Sequence, residues 1–151
     1  MTTERIDVRL ANEAWESLMT AHAGLTGRFA DEGMWGEVGM REYDVLYTLA
    51  KGAARGAESM RICEVQSGVL LSQPALSRMI DRLATRGLVA REPDPDDARA
   101  VRVSLTEEGA RLQREVGRAH AKSVARELGA ALTPDEMRDL LALCTKLAAR
   151  G

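Results

Sequence analysis

Apolar residues recur every three or four positions along most of this chain, and the recurrence breaks at a few Gly-, Pro- and Asp-rich places. From about 4 to 31, Trp15, Leu18, His22, Leu25 and Phe29 form one seam with a single polar guest, which predicts a long helix. Gly24 and Gly27 each weaken that helix by roughly 1 kcal/mol relative to Ala, marking either a kink or a close approach by another helix. A loop holding Met34 and Trp35 among Gly33, Gly36 and Gly39 follows. Tyr43, Leu46, Tyr47 and Ala50 predict a second helix over 40–50, and KGAARGAES (51–59) reads as a Gly-punctuated loop. Met60, Ile62 and Val65 lead into a short helix within RICEVQSGV (61–69).

The next stretch, 72–105, is patterned on two sides. Ser72 suits an N-cap, and Pro74 is tolerated in a first turn whose N–H groups lack helical partners. Leu76, Met79, Ile80, Leu83 and Leu88 form the apolar back, while Gln73, Ser77, Arg78, Asp81, Arg82 and Thr85 form the polar front. Gly87 supplies a left-handed stop. Two alternating segments, 88–92 and 101–105, predict a hairpin, and PDPDDARA (93–100) between them is too long for a two-residue turn. A short helix, a brief connection, a polar-fronted helix and a hairpin with a projecting loop follow the order of a winged helix-turn-helix. In that arrangement the second helix enters a DNA major groove.

Beyond the hairpin, Thr106 is placed to cap a helix whose first turn holds Glu107 and Glu108, a favourable sign at its positive end. That helix is expected to run to about 128, with Gly129 closing it. Thr133-Pro134-Asp135-Glu136 carries a cap, a first-turn proline and a capping-box glutamate. Met137, Leu140, Leu141, Cys144, Leu147 and Ala148 then mark a last helix. The expected fold is therefore mostly α with a small β-hairpin wing. A winged helix-turn-helix over 40–105 would be flanked by N- and C-terminal dimerisation helices at 4–31 and 107–149. Alone, those flanking helices would leave apolar seams exposed, and a two-fold homodimer is the simplest way to cover them.

Composition changes this picture little. The chain has 151 residues, 45% apolar and 29% charged, with only 3% aromatic, so its cores rest on Leu, Val, Ala, Met and Ile. The formal charge of −2 does not favour a nucleic-acid binder, but distribution outweighs the sum. Between Ser72 and Arg91, four arginines (78, 82, 86, 91) face one acid, Asp81. Cys63 and Cys144 lie far apart without a metal-ligand spacing, which argues against zinc or a disulfide framework. No apolar run reaches membrane-spanning length and the start, MTTERIDVRL, lacks a signal-peptide core, so a reducing cytoplasm is expected. There is no nucleophile paired with a base, no phosphate loop and no metal triad, so neither an enzyme nor a cofactor is expected.

Several runs share a known order: YDVLYTLA (43–50), MRICEV (60–65), LSQPALSRMIDRLATRGLVARE (71–92), PDDARAVRVSLTEEG (95–109) and LTPDEM (132–137). Within them stand Asp81-Arg82-Leu83, Gly87-Leu88-Val89, Arg91, Asp97-Ala98-Arg99, Val103-Ser104-Leu105-Thr106 and Gly109. This pattern resembles the MarR (multiple-antibiotic-resistance regulator) family of bacterial transcription regulators across nearly the whole chain. It departs at Ala98, where many members carry a second wing arginine, and at Pro74 in the reading helix. The resemblance implies a homodimeric regulator, a repressor on a pseudo-palindromic operator in double-stranded DNA, released by a small anionic or phenolic effector.

The candidate DNA-binding residues are Gln73, Ser77, Arg78, Arg82, Arg86 and Arg99. Arg can read guanine and Gln adenine, Ser can touch base or phosphate, and Arg82 and Arg86 suit phosphates. Arg82 could equally pair with a carboxylate. Arg99 at the wing tip suits a minor groove, with Asp97 as its support or its ion-pair partner. Trp15, His22, Tyr43, Tyr47 and Arg61 are the candidate ligand-binding residues, an aromatic wall with one cation. Core packing is the competing role for Trp15 and Tyr43. Cys144, on its apolar stripe, reads as buried.

Overall fold

The computed structural model describes residues 5–150 and divides into two compact units. One is Gly33–Arg126; the other is made of the chain ends, up to Glu32 and from Glu127 onward. Among the described residues, no helix is long and apolar enough to cross a membrane.

In the Gly33–Arg126 unit a short 3-10 turn, Gly33–Trp35, precedes α2 (Met40–Ala54). Then come β1 (Met60–Arg61), α3 (Ile62–Gln66), α4 (Gln73–Thr85), β2 (Val89–Pro93) and β3 (Val101–Leu105). The strands form one antiparallel sheet in the order β1-β3-β2, with Met60 opposite Val103 and Arg91 also opposite Val103. Leu46, Leu76, Ile80, Leu83, Val45, Val65 and Val103 are fully buried and make the core. α4 is built as its sequence predicts. Ser72 Oγ accepts the Ala75 N–H at 3.3 Å, Leu76, Met79, Ile80 and Leu83 face inward, and Gly87 takes φ 73° directly after the helix.

The helix α2 runs past the expected stop at 50, through Gly52, to Ala54. Gly52 is not a breaker: the helix runs through it, and the Met60 side chain of β1 lies against it, with Sδ 2.7 Å from where a Cβ would stand. The turn comes four residues later, at Gly56 with φ 94°. β1 itself adds a third strand to what the pattern presents as a two-stranded hairpin.

The helix α5 (Glu107–Ala131) begins where Thr106 sits. Thr106 Oγ1 accepts from the Gly109 N–H at 3.1 Å and donates to the Gly87 carbonyl at 2.6 Å. A Cβ on Gly109 would fall 1.9 Å from the Leu88 carbonyl oxygen, so only glycine lets this helix pack on the α4–β2 junction. At its other end α5 passes through Gly129 instead of closing there. Ala130 and Ala131, strong helix formers, continue it, and the Leu132 N–H bonds the Leu128 carbonyl at 2.8 Å.

The unit of chain ends contains α1 (Val8–Ala30), the last turns of α5, and α6 (Pro134–Ala148). The expected start of α1 at Glu4 lies outside the described residues; Arg5–Asp7 are not helical, and Asp7 caps the helix by accepting the Leu10 N–H at 3.0 Å. α1 carries Gly24 and Gly27 without interruption, and nothing lies within 4 Å of a Cβ built on either. Thr133 and Glu136 complete the expected capping box on α6. Along α6 no described residue is buried, and Cys144, expected inside, is exposed.

Candidate nucleic-acid interface

The polar front of α4 is presented as its spacing predicts. Gln73, Arg78 and Arg82 are exposed and Ser77 is half-buried. Gln73 and Ser77 share a cleft of about 420 Å³ with Arg61, Cys63, Asp97 and Arg99, so the start of α4 and the wing form its opposing walls. Arg99 is exposed, and no described residue pairs with its guanidinium. Asp97 bonds this turn through the backbone: its carboxylate accepts the Arg99 N–H at 3.0 Å, and its carbonyl accepts the Ala100 N–H at 3.0 Å.

Two of the arginines on this stretch serve the fold. Arg86 donates to Glu42 at 2.9 Å and to the Glu37 carbonyl at 2.6 Å, tying the end of α4 to the start of α2. Arg91 pairs with Asp81, joining β2 to α4. Arg41, just inside α2, donates to the Leu70 carbonyl at 2.9 Å and so holds the connection before α4.

The expected aromatic site is redistributed. Arg61 stands at the base of the wing, where its Nε donates to Asp94 at 2.8 Å; it belongs to the cleft with Gln73 and Arg99. Trp15 and His22 are exposed on α1, in the unit of chain ends, so a single chain does not bury Trp15. Tyr43 and Tyr47 do stack, with ring centroids 5.9 Å apart. Their companions are Trp35, 5.6 Å from Tyr43, and His120, 5.0 Å from Trp35. A cleft of about 680 Å³ is lined by Tyr43, Tyr47, Gln113, Arg114, Arg118 and His120. Burial pushes the Tyr43 phenol above its usual range, against a hydrogen bond with Gln113. Trp35 and His120 escaped the sequence pattern because they lie outside α2, His120 far along the chain. Among the described residues no cluster of His, Cys, Asp or Glu is arranged to hold a metal ion.

Sequence reasoning missed Asp94. It sits among turn formers, yet it is 4% exposed and its carboxylate gathers four donors. Oδ2 accepts from Arg61 at 2.8 Å and Arg102 at 3.2 Å; Oδ1 accepts the N–H groups of Asp96 at 2.8 Å and Asp97 at 3.2 Å. The Arg61 hydrogen bond, then the Asp96 N–H, hold this carboxyl at about 2, below its ordinary 3.8.

A family model described as MarR family matches residues 40–101. The chain is 33% identical over 135 residues to the uncharacterized HTH-type transcriptional regulator Mb0904 of Mycobacterium bovis, covering 89% of this chain and 87% of that protein. Identity to the multiple antibiotic resistance protein MarR of Salmonella typhimurium is 38% over 73 residues, 48% of this chain. That alignment spans about half (51%) of the relative's length. Among solved structures, a mutant of Escherichia coli MarR complexed with operator DNA is similar with TM-score 0.72 at 26% identity, covering 94% of this chain and 99% of that one. The PcaV transcriptional regulator of Streptomyces coelicolor, in complex with its natural ligand, is similar with TM-score 0.66 at 27% identity over 92% of each chain.

Proposed function

Because the chain belongs to the MarR family, whose members are transcriptional regulators and not enzymes, we propose that it is a homodimeric repressor of the bacterial cytoplasm that binds a pseudo-palindromic operator. The observation that carries this is the cleft between α4 and the wing, open to solvent and edged by Gln73, Ser77, Arg61 and Arg99, with Arg78 and Arg82 exposed further along α4. Two α4 helices would enter successive major grooves, roughly 10 base pairs apart. Gln73, Ser77 and Arg78 read bases, Arg82 takes a phosphate, and Arg99 reaches a minor groove from the Asp97-supported turn. Arg86, engaged by Glu42 and Glu37, contributes by holding α4 in place. The lobes that do this are 40–105 for DNA and the helices of 4–31 and 107–149 for pairing.

Pairing is favoured by the apolar residues left open in the unit of chain ends: Trp15, Leu141, Leu143 and Leu147 are each more than half exposed. A patch of that kind on a single chain marks a partner surface. Release from DNA falls to a small anionic or phenolic molecule in the cleft beside Tyr43 and Tyr47. The tyrosine rings would stack on it, and Arg114 and Arg118 would neutralise its charge. Such a molecule changes DNA binding only by preferring one arrangement of the dimer over the other.

Selection of duplexes from a random pool, repeated with phenolic acids present, tests all three parts. The expected result is one recovered palindrome, bound with a steep salt dependence and lost when the acid is added. Equal, weak retention of every duplex would refute the DNA reading.

A further inference from the structure

The buried carboxylate at the foot of the wing has a role in DNA binding that its charge alone would oppose. Asp94 follows β2 directly, and its own N–H bonds the Ala100 carbonyl across the mouth of the wing loop at 3.0 Å. Its side chain is 1% exposed and ties three parts together: Arg61 at the end of β1, Arg102 on β3, and the turn at Asp96 and Asp97. Arg102 is itself fixed by Ser59, through Oγ at 2.8 Å and the carbonyl at 2.9 Å. Arg61 is held differently. Asp94 takes its Nε, no described residue takes its outer nitrogens, and its side chain remains 37% exposed on the cleft shared with Gln73, Ser77 and Arg99.

We propose that Asp94 is a positioning residue for DNA: it aims Arg61 across the cleft at a backbone phosphate and fixes the turn from which Arg99 projects. The Nε grip leaves the other edge of the guanidinium to an anion, and Arg favours such planar, two-handed recognition of phosphate oxygens. Through its other oxygen, Asp94 Oδ1 accepts the Asp97 N–H, and Asp97 accepts the Arg99 N–H, so one carboxylate holds both Arg61 and the turn that carries Arg99. Asn in its place keeps an acceptor for the turn but sets an NH2 group against two arginines. This inference rests on the DNA-binding reading above.

Net charge and positioning make opposite predictions. Removing a negative charge beside DNA strengthens binding if Asp94 acts only through the field of the protein. Affinity would be measured across a salt series, on the duplex that the wild-type protein selects, for wild type, Asp94→Asn, Arg61→Gln and the double variant. Circular dichroism would monitor folding. Asp94→Asn is expected to weaken binding about tenfold, and Arg61→Gln to weaken it while flattening the logarithmic salt slope by about 0.9. In the Arg61→Gln background, Asp94→Asn should cost less than it does alone. Arg61→Gln keeps the Asp94–Arg102 pair and the turn, so it carries the test even if Asp94→Asn fails to fold.

Equal or tighter binding by folded Asp94→Asn, or an unchanged slope in Arg61→Gln, would overturn the positioning role while leaving the DNA reading in place. A wild-type protein that selects no duplex would overturn both.

Discussion

The two units of this chain treat the same kind of residue in opposite ways. In Gly33–Arg126, Leu76 is fully buried, as are Leu46, Ile80 and Leu83. In the unit of chain ends, Leu141 is 68% exposed and Trp15 58% exposed, although both lie on apolar helical stripes like that of α4. The first unit closes its core with side chains of one chain. The second has helices, caps and a stripe, but among its described residues a single chain buries Phe29 alone. Amphipathic spacing reports which residues want burial; it does not report whether the chain itself supplies the cover.

This contrast can be broken or sharpened by experiment. Leu76→Ala should cost about 2–5 kcal/mol of unfolding free energy in chemical denaturation, because it opens a cavity that a buried core fills only in part by relaxing. The loss should be the same at every protein concentration. Leu141→Asp should act in the other manner. On the proposed pairing it converts dimer to monomer in sedimentation, and the dependence of Tm on protein concentration disappears. A wild-type protein that sediments as a monomer throughout would break the comparison, leaving the α6 stripe exposed for another reason. Arg99→Ala should leave both units folded and the dimer intact while lowering operator affinity roughly tenfold, read by titration of a labelled duplex. The smallest effect concerns acid. Asp94 titrates at about 2 in the fold against an ordinary 3.8, so its contribution to stability is full above 3.8 and drains away as pH falls toward 2. Denaturation curves of Asp94→Asn across that window should change with pH less than those of the wild type.

Much of the wing and α4 is legible in the amino-acid pattern. Ser72, Gly87, Thr106 and the Thr133–Glu136 box are local devices, since a cap or a left-handed glycine acts on neighbours three or four residues away. What the pattern hides depends on distant partners. Gly52 looks like a helix breaker until Met60 is seen against it, and β1 is two residues long, too short to show alternation. Asp94 looks like one more turn former in PDPDDARA. Its meaning comes from Arg61, thirty-three residues earlier, and the same contact moves Arg61 from the aromatic site to the DNA cleft. Tyr43 and Tyr47 stand out because they sit one turn apart on α2, whereas His120 reaches Trp35 only through the fold.

The placement of the two tryptophans has a practical consequence. In a single chain Trp15 is 58% exposed, on the surface proposed for pairing, while Trp35 is 7% exposed with its ring against Tyr43 and His120. Their emission should therefore report different events, with Trp15 shifting to the blue when two chains pair and Trp35 staying blue-shifted in its enclosed site. With Trp15 replaced by Phe, the remaining light comes from one indole touching the aromatic cluster beside the α2–α5 cleft. The molecule thus carries a built-in optical gauge of whatever enters that cleft, readable without a label.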